Sequence, residues 1–95
     1  MSTAVPVATR YLVEWYRPNL TRQLIDDMVA DLNEATAGMC ADGSPVWLIM
    51  TVAVPTDEVL YGVFAAESPE LVRTTCERAG YVPERLSVDI DARTF

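Results

Sequence analysis

The chain has 95 residues, enough for one compact domain and too few for two. Hydrophobic residues make up 51% and charged residues 22%, a balance that excludes intrinsic disorder. The 14 acidic residues against 7 basic ones leave a net charge of -7, which excludes the clustered cations that a nucleic-acid binder or a polybasic membrane-surface protein requires.

After a small-residue arm at residues 1–9, residues 10–17 (RYLVEWYR) are β-branched and aromatic and stop at Pro18, as a first strand does. Asn19 or Thr21 then caps a helix whose apolar face is Leu20, Leu24, Ile25, Met28, Val29, Leu32 and Ala35. Gly38 or the run Ala41-Asp42-Gly43-Ser44-Pro45 ends it. Residues 46–54 form a second strand, Pro55-Thr56-Asp57 turns the chain, and residues 59–66 return as an antiparallel third strand. Ser68-Pro69-Glu70 supplies a hydroxyl cap, a first-turn proline and an acid at the positive end of the helix dipole. Leu71, Val72, Thr75, Cys76 and Ala79 give this second helix its buried stripe, and Gly80 ends it. Residues 85–92 (RLSVDIDA) alternate as a half-exposed fourth strand. The order β-α-β-β-α-β with right-handed crossovers predicts a ferredoxin-like α+β domain over residues 10–95, with two helices on one face of a four-stranded antiparallel sheet.

Two helices cover one sheet face only. The fourth strand alternates apolar with polar, but the second and third are apolar throughout. In strand two, Val46, Leu48, Met50, Val52 and Val54 fall on one face, with Trp47, Ile49, Thr51 and Ala53 on the other. A monomer would expose a broad apolar patch, so the expectation is a homodimer packed face to face through the open sheet, a dimeric α+β barrel. The alternative is that the arm or a loop folds over that face.

Cys40 and Cys76 are the only cysteines, too few for a disulfide framework, and they read as reduced thiols. With no signal-peptide pattern and no apolar run approaching the roughly 20 residues of a membrane span, the expected location is cytoplasmic. There is no His, and every cation is Arg, which removes imidazole bases, imidazole ligands and Schiff-base lysines. The chemistry left is narrow. Glu14, between Val13 and Trp15 in a central strand, is the one candidate acid or base, or else half of an ion pair with Arg17 or Arg73. Asp27, Asp31 and Glu34 share a helix face, which reads better as a solvated acidic surface than as a cation site. Cys76 falls on a buried stripe and reads as structural. Trp15, Trp47 and Tyr61, with Glu14 and Cys76, are the candidate lining of a pocket for an apolar small molecule; no cofactor and no metal is assigned.

The segments Val46-Trp47-Leu48-Ile49, Leu60-Tyr61-Gly62-Val63-Phe64-Ala65-Ala66, Ser68-Pro69-Glu70-Leu71-Val72-Arg73 and Arg78-Ala79-Gly80-Tyr81-Val82-Pro83 carry a resemblance. Together with Glu14, they resemble the small actinobacterial nickel-binding-type domain, over residues 11–90. The resemblance implies the same fold and a dimer. Its usual metal-ligand types are replaced, with Ile49 and Thr75 at histidine positions and Gly62 at a cysteine position. The functional expectation is a non-catalytic homodimer that binds a small molecule or a protein partner. The alternatives are a small cofactor-independent monooxygenase, isomerase or cyclase using Glu14, and a degenerate metal-binding protein.

Overall fold

Strand β1 (Thr9–Tyr16) begins and ends one residue earlier than the sequence pattern suggests. It belongs to a computed structural model that describes residues 8–95, so most of the expected N-terminal arm lies outside the described residues. Helix α1 (Arg22–Ala41) starts on Thr21, whose hydroxyl accepts the Leu24 amide at 3.2 Å. Asn19 is not the cap; its backbone turns through a positive φ of 56° just before. The helix runs through Gly38 rather than stopping there. Gly38 serves a close approach instead, because the Arg78 guanidinium lies where a side chain would begin. Strand β2 (Trp47–Val54) and strand β3 (Val59–Ala66) form the expected hairpin, joined by a 3-10 turn at Pro55–Asp57. Helix α2 (Pro69–Ala79) is capped by the Ser68 hydroxyl, which accepts the Leu71 amide at 3.3 Å, and closes at Gly80. Strand β4 (Arg85–Val88) is half the expected length, since Asp89 takes a left-handed turn with φ 58°.

The strands make one antiparallel sheet in the order β2-β3-β1-β4. With both helices packed on one side, this is the ferredoxin-like α+β fold that the element order predicts. No helix among the described residues is long and apolar enough to cross a membrane.

Alternation along the central strands sorts side chains between two faces. Tyr11, Val13 and Trp15 of β1 join Leu60, Phe64 and Ala66 of β3 in the core beneath the helices. There they meet Met28, Leu32 and Met39 of α1 and Val72 and Cys76 of α2. Trp15 is fully buried, stands edge-on to Phe64 with ring centroids 6.3 Å apart, and donates its indole N–H to the Tyr81 carbonyl at 2.9 Å. Its ring lies over Gly62, the one core position of β3 with no side chain. A Cβ there would sit 3.0 Å from both the Trp15 and Phe64 rings.

One expectation about β2 needs correction. Trp47 pairs with Ala65 and Leu48 with Phe64, but Met50 then pairs with Val63, leaving Ile49 as a bulge. The extra residue flips the strand's alternation midway. Leu48 and Ala53 therefore pack on the helix side, while Trp47, Met50, Val52 and Val54 share the open face. The strict two-residue reading had put Trp47 with Thr51 and Ala53.

Three outcomes follow from this packing. Gly62→Ala is expected to destabilise the fold by about 1–3 kcal/mol, because neither ring can retreat within a filled core; urea melts measure it. Burial pushes the Cys76 thiol up to about 12 from its ordinary 9. Above its ordinary value the unfolded chain ionises first, so stability should fall as pH rises from 9 towards 12 and be unaffected by this group below 9. In native protein, iodoacetamide near pH 8 (about where free thiols begin to ionise) should modify the exposed Cys40 and spare Cys76 until urea is added. Mass spectrometry counts the adducts.

Candidate functional site

The open face of the sheet is built in rungs across the strands. One rung reads Val52–Tyr61–Glu14–Arg85, the next Met50–Val63–Leu12–Ser87, and a third Trp47–Ala65–Arg10. The face therefore divides along its length. Its β2–β3 half is apolar, with Met50 and Val52 exposed at 39% and 46%. Its β1–β4 half carries the polar groups. Arg10, Glu14 and Arg85 are the charged residues of these rungs.

Glu14 is the unusual member. Its side chain keeps only 10% of its accessible surface. Oε1 accepts the Tyr16 hydroxyl at 2.5 Å, and the Arg85 Nε stands 3.7 Å from Oε2. The first is a short charge-assisted hydrogen bond; the second is an ion pair beyond hydrogen-bond reach. Arg85 is the cation that meets Glu14, rather than the Arg17 or Arg73 considered from sequence, and Arg17 pairs instead with Glu84 at 2.9 Å. Nothing among the described residues hydrogen-bonds Oε2. The Tyr16 phenol is raised above its ordinary pKa, chiefly because it donates to Glu14, and to a lesser degree by burial and the nearby carboxylate charge. It remains a donor throughout the neutral range.

The sheet separates the five residues that the sequence groups as a pocket. Glu14, Tyr61 and Trp47 lie on the open face, whereas Trp15 and Cys76 are fully buried on the helix side. Adjacent positions in a strand point oppositely, so Glu14 and Trp15 never share a cavity. Trp15 and Cys76 are core residues. Tyr16, which the sequence places only among the aromatic residues of the first three strands, and Arg85, which sequence reasoning left out, take their places beside Glu14. The signal for Tyr16 was present, since it stands two residues from Glu14 on one strand face. Arg85 required knowledge of which strand pairs with β1.

The helix side offers an open groove of about 620 Å³ between α1 and α2, whose lining includes Asp31, Glu34, Gly38 and Arg78. Two of its three charged groups, Asp31 and Arg78, are already engaged. Asp31 accepts the Tyr81 hydroxyl at 2.6 Å, which pushes that phenol up to about 12, and Arg78 pairs with Asp42 at 2.7 Å. Asp27 accepts the Gln23 amide at 2.8 Å. Asp27 and Asp31 of the acidic helix face are thus partnered locally, and among the described residues no three acidic, Cys or His side chains converge to hold a metal ion.

No protein-family model matches this chain, and no curated protein matches it in sequence. In three dimensions it is similar to the crystal structure of SCO4226 from Streptomyces coelicolor A3(2), with a TM-score of 0.66 and 19% identity. The match covers 87% of this chain and 99% of that one. At that identity the likeness supports the fold and says nothing about the site.

Proposed function

We propose that this chain acts as a homodimer whose open sheet faces pack together and hold a small molecule against the Glu14 rung. The observation that carries this reading is the bulge-corrected open face, on which Trp47, Met50, Val52 and Val54 of β2 are aligned, with Met50 and Val52 exposed. Contiguous apolar surface of this kind marks an association or ligand site. A second copy is the occupant whose surface is matched in kind, because a two-fold contact lays apolar β2–β3 half against apolar half. The carboxylate at the border of that patch would then stand at the edge of a dry compartment, where polar groups orient a ligand.

The 2.5 Å Tyr16–Glu14 hydrogen bond favours a second reading, a small cofactor-independent enzyme with Glu14 as acid or base and Tyr61 orienting the substrate. The two readings part on turnover. Binding with no consumption of ligand supports the first; turnover lost in Glu14→Gln supports the second. The degenerate metal-binding reading draws on the resemblance alone, and positions 49, 62 and 75 carry Ile, Gly and Thr.

Sedimentation over a concentration series tests the dimer. The wild type is expected to be dimeric, and Val52→Arg, which places a charge in the centre of the contact, should weaken association by about a hundredfold or more. A wild type that stays monomeric at the highest concentration, with its apolar face covered by residues 1–7 or by a different partner, overturns the proposal.

A further inference from the structure

The ligand class can be read from the Glu14 rung, and this step rests on the small-molecule reading above. Glu14 projects from the open face of β1 with its side chain nine-tenths buried, and its two oxygens are unequal. Oε1 is committed to the Tyr16 hydroxyl, whereas Oε2 receives no hydrogen bond among the described residues and has Arg85 only as a loose neighbour at 3.7 Å. Among the described residues no buried side-chain oxygen or nitrogen lacks a partner, so Oε2 is still reached by solvent and open to a ligand donor, which would gain there a hydrogen bond to a charged group. The groups beside it on the same and next rungs are Tyr61, Val52, Leu12 and Val63, an aromatic and aliphatic wall. Arg85 is 70% exposed, so it can swing out to solvent when another donor arrives.

We infer that the site takes a small apolar molecule carrying a hydrogen-bond donor, best a protonated amine, with the donor on Glu14 Oε2 and the apolar body along Tyr61 and Val52. Charge complementarity supports the amine. The chain carries a net charge of -7, which draws cations and repels carboxylates, and aromatic faces beside the site add cation–π attraction. The nearest cation, Arg85, competes with such a ligand rather than binding it. An anionic ligand would need the reverse, with Arg85 and Arg10 as its anchors and Glu14 as a repulsive neighbour.

The test uses three probes that share a phenylethyl-type body: phenethylamine, phenethyl alcohol and phenylacetate. Each is titrated into full-length protein by NMR, with chemical shifts followed at Tyr61, Val52 and Leu12. Phenethylamine is expected to bind at least about tenfold more tightly than phenylacetate, the size of one charge-assisted hydrogen bond. Glu14→Gln should erase that preference. Arg85→Gln should strengthen amine binding by up to about fivefold, as removal of a weak exposed competitor. Arg85→Gln leaves the core untouched, so it remains informative if Glu14→Gln fails to fold. Phenylacetate binding best, and lost in Arg85→Gln, overturns the inference in favour of an anion site. Equal binding of all three with shifts on the open face overturns the ligand class and leaves the binding reading standing. No shift on the open face with any probe removes the binding reading and the inference together.

Discussion

Strand β1 is the constraint on which the rest of the molecule depends. It lies inside the sheet, bonded to β3 on one side and β4 on the other, and its residues must alternate between the two faces. Tyr11, Val13 and Trp15 anchor both helices through the core. Leu12, Glu14 and Tyr16, offset by one residue, form the centre of the opposite surface. A slip of one residue in its pairing would bury Glu14 under the helices and push Trp15 into solvent. The Trp15 indole N–H on the Tyr81 carbonyl and the bare Gly62 beneath the ring fasten the register. Core and candidate site are therefore set by one strand.

The same alternation explains why a carboxylate survives with so little exposure. Glu14 is shielded on the open side of the sheet, between Tyr61 and Arg85 of the flanking strands, rather than under the helices, and it reaches one strong donor in Tyr16 from its own strand. The short hydrogen bond offsets part of the desolvation cost that an unpaired carboxylate would carry. The remaining oxygen is where binding energy is still available. Were a second copy to close over the apolar half, as proposed, the lower local dielectric would strengthen whatever meets that oxygen. On the proposed reading, association and recognition would be coupled through one rung of the sheet.

Much of the fold was legible in the residues. Ser68-Pro69-Glu70 named the start of α2, Thr21 was among the candidate caps for α1, and the strand-helix order left few topologies. The misses have particular causes. Gly38 is one of the two helix stops the residues offer and the run from Ala41 is the one used, because a glycine inside a helix is also what lets Arg78 lie against the backbone. The fourth strand keeps its alternating pattern to Ala92, but pairing with β1 ends at Val88 because Asp89 turns the backbone. The bulge at Ile49 has no sequence mark, since every residue around it suits a strand.

The sequence by itself determined the element order, the two-helix layer, the acidic and histidine-free chemistry, and Glu14 as the one carboxylate in a central strand. These follow from local periodicity, capping and composition, which each segment carries within itself. Only the tertiary structure decided that Trp15 belongs to the core and that Trp47 joins Tyr61 and Glu14 on the open face. It also decided that Tyr16 and Arg85 are the partners of Glu14. Those assignments depend on cross-strand register and on a single inserted residue, long-range quantities that no local pattern of side chains encodes.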